Sequence, residues 1–323
     1  MTRRVLVVGT TGTQGGSVVD ALLSAGDHEI RGLTRDPTSD AARRLADRGI
    51  EVVAGDLSDP ATLAAAFDGV DAVFHPSFGA SEVTFARNVV DAAREAGVAH
   101  LVVSTGGDCG DRPGVPHVDA KADVEELVHE SGLAYTVIRP HTFYSNLAMQ
   151  AGALAQGRFP YPLAEEARLE LVDPADIGRL AAQAIADPDR FAGETFELAG
   201  DSLTLEELAA TFADHLGRPV EPVRLTPAEF VAGMGAPPAF ERFLAWQSEP
   251  HPTDTDRLAS EFDFETTTLA EYLDREWPED GPPTPPRPPS GAPGGREGCG
   301  SSSPGRPEPP ARPSSTNSPA TPR

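Results

Sequence analysis

Three side chains in the middle of the sequence have types and a spacing that could support proton transfer beside a bound ligand. In the segment HVDAK, His117 stands four residues before Lys121, and Ser104 precedes His117 by thirteen residues. Residues four apart lie on one face of a helix, so a helical segment would bring the imidazole and the ammonium together. An imidazole can act as a general acid near neutral pH, because its ordinary pKa is about 6.5. His117 and Lys121 are therefore candidate catalytic residues.

A glycine-rich loop near the N-terminus is typical of dinucleotide binding. The segment GTTGTQGGSVV follows an apolar run and precedes an amphipathic one, with Gly9, Gly12 and Gly15 three residues apart. Glycine lets the backbone turn tightly and approach a pyrophosphate, and the following helix directs its free N–H groups at the phosphates. Because the loop joins a predicted strand to a predicted helix, the pattern indicates a bound dinucleotide.

The end of the second predicted strand indicates which dinucleotide is bound. In RGLTRDP the strand is followed by Arg35, a planar donor that suits the extra phosphate of NADP. Asp36 comes next, and a carboxylate there would favour the ribose hydroxyls of NAD. We expect NADP(H) in preference to NAD(H). After the third strand, Asp56 and Leu57 stand where a carboxylate and an apolar neighbour would hold an adenine, although Asp56 could equally cap a turn.

The elements that must position these residues alternate between strand and helix over the first part of the chain. Short β-branched runs are separated by amphipathic stretches such as SVVDALLSAG, which predicts parallel βαβ units. The strands are nearly continuous in apolar residues, as in a sheet covered on both faces. The predicted strands are Val5–Val8, Glu29–Leu33, Glu51–Val53, Ala72–Phe74, Leu101–Val103 and Tyr135–Ile138. The fold class is therefore α/β, with a Rossmann-type doubly wound parallel sheet in residues 1–150.

The rhythm changes after residue 150 and predicts a smaller mixed lobe. Helical stretches such as DPADIGRLAAQAIAD alternate with the short strand patterns LELV and TFEL. We assign residues 151–280 to a small α/β substrate or partner lobe that shares the cleft, because an open α/β sheet binds ligands at its strand ends. Residues 281–323 are rich in Pro, Gly and Ser and contain no large apolar side chain, so we predict a disordered tail.

Composition excludes several classes of function. Acidic residues outnumber basic ones 50 to 26, a formal charge of −24, which argues against a nucleic-acid surface. No stretch approaches the roughly 20 apolar residues of a membrane helix, and nothing resembles a signal peptide. The two cysteines are far apart, as in a reducing compartment, so we expect a cytoplasmic protein. The histidines show no HExxH spacing, and we predict no metal site.

Two further residues lie near the expected site. Cys109, in STGGDCGDRPG, would sense oxidants only if its pKa were lowered, and two nearby aspartates act in the opposite direction. We expect a structural role for this thiol. His141, which follows Pro140, could either line the pocket or pack inside the protein.

Together, these motifs resemble the NmrA-like family of atypical short-chain dehydrogenases/reductases, and most closely its NADPH-sensing branch. The motifs are GTTGTQGGSVV, LTRDP, AGDLSD, HVDAKADVEELV, YTVIRPHTFYSNL and DPADIGRLAAQAI, in this order along the chain. The resemblance implies a cofactor site that includes a nicotinamide-ribose lysine and an aromatic–x–Asn group near the nicotinamide. The residues that it implies are Gly9, Thr11, Gly12, Gln14, Gly15, Arg35, Asp56, Leu57, His75, Lys121, Phe143, Tyr144 and Asn146.

The same resemblance leaves the activity open. In active short-chain dehydrogenases a tyrosine four residues before the lysine carries the proton, and here His117 stands in its place. A serine orients the carbonyl in those enzymes, and the resemblance implies Ser104 as a third candidate catalytic residue, thirteen residues before His117. NmrA-like regulators resemble this sequence at that point, and some quinone or phenolic reductases of the group also lack the tyrosine. We expect an NADPH-responsive sensor or regulator with a regulatory protein as its partner. The alternative is an NADPH-dependent reductase of a quinone, carbonyl or phenolic substrate that uses Lys121. A third hypothesis is an interaction module that binds no cofactor.

Overall fold

Alternate residues of the first strand enter two separate cores, one on each face of a central sheet. The computed structural model describes residues 2–249 and 256–277. In its first strand, Arg3–Val7, Val5 and Val7 pack in one core and Leu6 packs in the other. Successive side chains of a strand point to opposite faces, so a strand that is apolar throughout requires helices on both sides.

The described residues contain twelve strands. In chain order they are β1 (Arg3–Val7), β2 (His28–Thr34), β3 (Glu51–Ala54), β4 (Ala72–Pro76), β5 (His100–Ser104), β6 (Tyr135–Pro140), β7 (Thr142–Phe143), β8 (Arg158–Tyr161), β9 (Leu169–Val172), β10 (Glu194–Leu198), β11 (Asp201–Leu203) and β12 (Glu221–Arg224). Seven of them form the central sheet in the order β10-β6-β5-β4-β1-β2-β3, and all neighbours are parallel. The strand order reverses between β1 and β4, where a doubly wound sheet opens its ligand crevice. The predicted fold class is confirmed.

Thirteen α-helices accompany these strands in the same residues. They are α1 (Thr13–Ala25), α2 (Asp40–Asp47), α3 (Ala64–Phe67), α4 (Glu82–Ala96), α5 (Pro116–His129), α6 (Ala151–Leu154), α7 (Pro174–Ala186), α8 (Pro188–Phe191), α9 (Leu205–Leu216), α10 (Pro227–Met234), α11 (Ala239–Gln247), α12 (Asp256–Phe262) and α13 (Leu269–Glu276). Apolar residues of α1 and α7 cover one face of the central sheet, and those of α3, α4 and α5 cover the other. Within the described ranges, no helix combines the length and apolarity of a membrane span.

Helix α1 packs against α7 at backbone distance. A Cβ atom added at Gly178 would lie 2.2 Å from the carbonyl oxygen of Ser17. Real side chains do not tolerate such a distance, so glycine is required where the two helices cross. The first turn of α7 is also capped, since the Asp173 carboxylate accepts a hydrogen bond from the Ala175 N–H at 2.9 Å.

Two elements that the sequence analysis placed in the small lobe belong to the central sheet. The pattern TFEL forms β10, which pairs with β6 over five residues, and α7 packs beside α1 on the same sheet. An apolar run indicates a strand but not the edge at which it pairs, because pairing depends on contacts distant in sequence. The division at residue 150 stays a prediction, and residues 174–198 are an exception to it.

The small lobe has its own apolar core. A three-stranded sheet (β11-β9-β7) and a two-stranded pair (β12-β8) are covered by α9, α10, α11 and α13. Phe212 stacks on Phe159 and meets Trp277 edge to face within this core. The predicted tail, 281–323, lies outside the described residues.

The contact at Gly178 provides a test of the packing. We expect Gly178→Ala to lower the free energy of unfolding by about 1–3 kcal/mol, because the added methyl must push two backbones apart. Gly233→Ala is the matched control inside another helix, where a Cβ would meet nothing within 4 Å. The control should be neutral or stabilising by up to about 1 kcal/mol. Urea unfolding measures both, and equal effects would contradict the close approach.

The buried His100 should make the folded protein less stable in mild acid. His100 is fully buried beside Thr136, and desolvation lowers its pKa from 6.5 to about 4. As the pH falls below about 6.5, the unfolded chain binds this proton before the folded chain does. The stabilisation by neutral His100 is therefore complete above that pH and is lost progressively towards pH 4.

The His100→Asn variant isolates this effect. It should reduce the difference in unfolding free energy between pH 7 and pH 5 by about 2 kcal/mol, since one pKa unit corresponds to about 1.4 kcal/mol. Urea titrations at the two pH values measure the difference. His129→Asn, at an exposed histidine, is the control. An unchanged pH dependence in His100→Asn would show that His100 titrates normally.

Candidate functional site

The glycine loop between β1 and α1 has the geometry that a pyrophosphate requires. Gly9 adopts φ +70°, and its carbonyl accepts a 2.8 Å hydrogen bond from the Gly12 N–H, which closes a tight turn. A Cβ atom at Gly15 would lie 2.2 Å from the Gly9 carbonyl oxygen, so only glycine lets the helix approach the strand this closely. Helix α1 has no side-chain cap and no acidic residue in its first turn. Its N-terminal N–H groups therefore remain available to an anion.

The end of β2 presents a guanidinium rather than a carboxylate. The Asp36 side chain is turned into its own loop, where it accepts hydrogen bonds from the Thr38 N–H at 2.8 Å and hydroxyl at 2.6 Å. These bonds lower the pKa of Asp36. Arg35 is exposed and makes no hydrogen bond or ion pair within the described part of the chain. Its charge contributes to lowering the pKa of Asp56, after the larger effect of hydrogen bonds from Ser58.

Asp56 and Leu57 lie at the end of β3, beside this arginine. The Asp56 carboxylate accepts hydrogen bonds from the Ser58 N–H at 2.9 Å and hydroxyl at 2.7 Å, so it does cap a turn. Leu57 is buried, and its carbonyl accepts a 2.7 Å hydrogen bond from the Asn88 side chain. A contact with adenine stays a prediction for both residues.

His75 is the penultimate residue of β4, Ser104 is the last residue of the adjacent β5, and both are buried. The two ring nitrogens of His75 and the Ser104 hydroxyl have no hydrogen-bond partner among the described atoms. Burial, followed by the charge of Lys121, lowers the pKa of His75 to about 4, so this imidazole is neutral at pH 7. Ser104 does not reach the cavity described below, and Thr105 stands at its surface instead.

Lys121 is held by a buried carboxylate that the sequence analysis missed. Its Nζ atom lies 3.0 Å from Glu82 Oε2, and Ser77 donates a hydrogen bond to the same oxygen. The Glu82 side chain is only 3% exposed, and a carboxylate at that burial is costly unless partners such as these bind it. The composition sets Lys121 apart, because it is the single lysine of a chain with 25 arginines.

His117 shares the cavity face of α5 with Lys121, as their spacing predicts. Its ring meets Phe243 edge to face, with 5.5 Å between centroids. Desolvation lowers the pKa of His117, the charge of Lys121 lowers it further, and Glu82 acts in the opposite direction. His117 is therefore in its neutral form near pH 7 and is a poor source of protons there.

A cavity of about 350 Å³ lies between the strand ends and the small lobe. It reaches from the glycine loop into the lobe, and Gln14, whose Oε1 atom is buried without a partner among the described atoms, lies at one end. Five of the residues chosen from the sequence line this space: Gln14, His117, Lys121, Phe143 and Asn146.

Tyr144 does not line the cavity. Its side chain is fully buried in the lobe, where the hydroxyl donates to Asp201 at 2.9 Å or the Thr267 carbonyl at 3.1 Å. The chain enters a 3₁₀ segment at this residue, Tyr144–Gln150, so Phe143 and Asn146 face the cavity while Tyr144 faces the lobe. The Tyr144 side chain therefore points away from the cavity, and a contact between this residue and the cofactor stays a prediction.

The lobe side of the cavity is an apolar wall that the sequence analysis did not identify. The wall comes from α10 and α11, and its large side chains are Phe230, Met234, Phe240, Phe243 and Trp246. Phe243 contacts both Phe240 and Trp246, with centroids 5.1 and 5.9 Å apart. The concentration of aromatic residues in AFERFLAW was the available signal. Such a wall suits a flat, apolar ligand.

The remaining wall is polar and carries a hydrogen-bonded histidine. His141 lines the cavity, its Nε2 atom lies 3.2 Å from Glu197 Oε2, and Asp108 lies on its other side. Arg139 joins Glu197 to the buried Glu125. Among the described residues, Asp108, His141 and Glu197 are the one set with the spacing of metal ligands. Because Glu197 is already bonded to Arg139, we interpret the set as a hydrogen-bond network, and the absence of a metal stays a prediction.

Cys109 is buried behind this wall, packed with Val115 and Val118. The thiol is buried and donates to Glu125 Oε1 at 3.0 Å. Burial, followed by the charge of Glu125, raises the pKa of Cys109 to about 12. The reactive thiolate is therefore scarce at neutral pH.

Two curated relatives cover most of this chain. The NAD(P)H azoreductase of Xenophilus azovorans is 36% identical over 241 residues, which are 72% of this chain and 82% of the relative. Quinone oxidoreductase 2 of Escherichia coli is 30% identical over 283 residues, which are 83% of this chain and 96% of that protein.

Solved structures agree with the fold. An NADPH-dependent quinone oxidoreductase from Escherichia coli, crystallised with NADPH, has a TM-score of 0.73 at 28% identity and covers 84% of this chain and 98% of its own. NmrA, a negative transcriptional regulator, also has a TM-score of 0.73, at 20% identity, over 87% of this chain and 97% of its own. At that identity the likeness to NmrA concerns the fold alone. The NmrA-like family model matches residues 1–273, and this chain therefore belongs to the NmrA-like family.

Proposed function

We propose that this protein binds NADP(H) and reduces flat aromatic acceptors of the quinone or azo class. The observation that carries the proposal is the aromatic cavity wall of α10 and α11, which lines the same space of about 350 Å³ as Lys121. A sensor that only binds a dinucleotide has no need of such a space. The names of the azoreductase and quinone oxidoreductase relatives agree with this chemistry.

The described residues fit NADP(H). The uncapped N-terminus of α1 would receive the pyrophosphate. Gly9 and Gly15, which have no side chains, let the backbone come close to it. Arg35 would pair with the 2′-phosphate, while Asp36 is occupied in its own turn. NADPH is the bound ligand of the Escherichia coli quinone oxidoreductase structure. When bound, this cofactor supplies a hydride.

The chain's own residues would position the reactants. Glu82 holds the Lys121 ammonium at the cavity surface, where it can bind ribose hydroxyls. Phe243 and Trp246 would stack on a flat acceptor and exclude water from one of its faces. A quinone that has gained a hydride is a stabilised phenolate, with an ordinary pKa of about 10. Its protonation does not require the tyrosine of other short-chain dehydrogenases.

The regulator favoured by the sequence remains the second candidate. It is supported by His117, which replaces the usual proton-donating tyrosine and whose pKa is lowered rather than raised. A regulator should distinguish NADPH from NADP⁺ in affinity and turn over no acceptor. A reductase must bind NADPH, transfer its hydride and release NADP⁺.

Arg35 should determine the choice between cofactors. We expect Arg35→Ala to weaken NADPH binding by about 10- to 100-fold, the scale of one hydrogen bond to a charged group. NADH binding should change little, because NADH lacks the 2′-phosphate. Calorimetric titration measures both affinities. Arg44→Ala, at another exposed arginine, is the control. Equal losses for NADPH and NADH would show that Arg35 does not contact this phosphate.

Turnover is the main test of the proposed function. Wild-type protein saturated with NADPH should oxidise it in the presence of simple quinones and azo dyes, measured by the loss of absorbance at the reduced nicotinamide band. Lys121→Met keeps an apolar stem of similar length and removes the charge, and we expect at least about a tenfold loss in rate. No oxidation by wild-type protein across the panel would reject the reductase and favour the regulator.

The single lysine allows a binding test that does not depend on turnover. Reductive methylation with ¹³C-formaldehyde labels only amines, here Lys121 and the N-terminus. Addition of NADPH should shift the methyl resonance of Lys121, because the ammonium gains ribose hydroxyls as neighbours. Lys121→Met assigns the signal by deleting it. A resonance unmoved at saturating NADPH would show that Lys121 does not contact the cofactor.

A further inference from the structure

We propose that His141 is the proton donor to the acceptor, in place of the tyrosine that other short-chain dehydrogenases use. This inference rests on the proposed reductase function. His141 belongs to the polar wall of the cavity, not to the aromatic wall from α10 and α11. The two histidines that line the cavity, His117 and His141, have different surroundings, and those surroundings decide between them.

A carboxylate fixes the orientation of the His141 ring. Its Nε2 atom lies 3.2 Å from Glu197 Oε2, which is within hydrogen-bond distance. Its Nδ1 atom lies 4.0 Å from Asp108 Oδ2, which is too far for a direct hydrogen bond. Glu197 therefore sets the ring orientation and leaves Nδ1 as the nitrogen for a ligand, as in other histidine–carboxylate pairs that transfer protons. The His117 ring meets the Phe243 ring instead.

Glu197 is itself held in place. Arg139 donates to its Oε1 atom at 2.9 Å, and the Asp108 N–H donates to its Oε2 atom at 3.2 Å. Arg139 is in turn bound to the buried Glu125. The remaining charged group that interacts with His141 is Glu170, on β9, which also interacts with Arg168. Glu197 is therefore held by two donors besides His141, and these donors fix where its carboxylate meets the imidazole.

Two consecutive glycines place His141 and Lys121 on the same wall. A Cβ atom at Gly106 would lie 2.8 Å from Lys121 Cδ, and one at Gly107 would lie 2.4 Å from the His141 ring. The two side chains therefore pack against neighbouring residues, whose Cα atoms are about 3.8 Å apart. The Lys121 stem and the His141 imidazole therefore line neighbouring parts of one cavity, and we infer that a single acceptor can contact both.

The step balances in atoms and electrons. The acceptor takes a hydride from NADPH, which leaves NADP⁺, and one acceptor oxygen or nitrogen takes the proton of His141 Nδ1. One N–H bond breaks, one O–H or N–H bond forms, and the imidazole becomes neutral. Water that enters the cavity returns the proton. The sum is NADPH, one proton and the oxidised acceptor on one side, with NADP⁺ and the doubly reduced acceptor on the other.

Chemical rescue tests this role. His141→Ala removes the donor and opens a space of imidazole size beside Gly107. We expect a loss of about 10²- to 10⁴-fold in kcat, the usual contribution of a general acid, with little change in the KM for NADPH. Imidazole added to the buffer should restore part of kcat. The part restored by substituted imidazoles should depend on how acidic they are. A histidine with only a structural role would not be rescued.

Control variants separate the possible failures. Imidazole should not accelerate His117→Ala, which lacks a carboxylate to hold the added ring. His141→Gln, which keeps a hydrogen bond to Glu197, should be slow yet melt near the wild-type temperature. Unchanged kcat in His141→Ala, or a loss without rescue in a variant that still binds NADPH, overturns the step alone. No turnover by wild-type protein overturns the proposed function as well.

A second measurement does not require turnover. The side-chain ¹⁵N resonances of His141 report which ring nitrogen takes part in the hydrogen bond to Glu197. Glu197→Ala removes the partner, and should shift the Nε2 resonance more than the Nδ1 resonance. An Nε2 resonance that is the same in Glu197→Ala and in wild-type protein would overturn the orientation of the ring by Glu197.

Discussion

Helix α1 lies in direct backbone contact with both of its neighbours, and the cofactor site depends on this packing. At Gly15 the helix approaches the end of β1 so closely that a Cβ atom would come within 2.2 Å of the Gly9 carbonyl oxygen. On its other side, Gly178 of α7 brings a second helix to the Ser17 backbone. A helix confined between two backbones cannot shift along its axis. Its N-terminus is therefore held at the edge of the sheet where the strand order reverses, and where an anion can be bound.

Buried ion pairs define the polar side of the same cleft. Glu82 and Lys121 form one pair, and Glu125, Arg139 and Glu197 form a second group. Charges at such burial are costly unless they are paired, so each member restricts the position of the others. The cleft consequently has one wall with fixed charges and another, from α10 and α11, with aromatic rings. This asymmetry is what a reaction between a charged cofactor and a flat apolar acceptor requires.

The structure changes what His117, in place of the usual tyrosine, implies about activity. In the sequence, His117 looks like an altered catalytic residue, which favours a regulator. In the structure its pKa is lowered, while another histidine that lines the cavity, His141, is bound to a carboxylate. A lost tyrosine removes one source of protons, and the fold can provide another. The identity of the residue at position 117 therefore says little about activity.

Local patterns in the sequence determined the sheet, the glycine loop and the helical pairing of His117 with Lys121. These features depend on residues close together along the chain: alternation in a strand, glycine spacing in a turn, and four-residue spacing in a helix. The same patterns were enough to identify the family. They also selected Gln14, Lys121, Phe143 and Asn146, which do line the cavity. Arg35, Asp56 and Leu57 lie at the ends of β2 and β3, as their motifs imply.

Contacts between distant segments decided the rest. Glu82 meets Lys121 across 39 residues, and Glu197 meets His141 across 56, because β10 returns to the central sheet beside β6. Tyr144 and Phe143 are adjacent in sequence but face opposite sides, since a 3₁₀ segment begins between them. The aromatic wall faces the cofactor loop only because the small lobe packs over the strand ends. A sequence specifies which side chains are available, whereas the pairing of strands and the packing of the lobe decide which of them share one cavity.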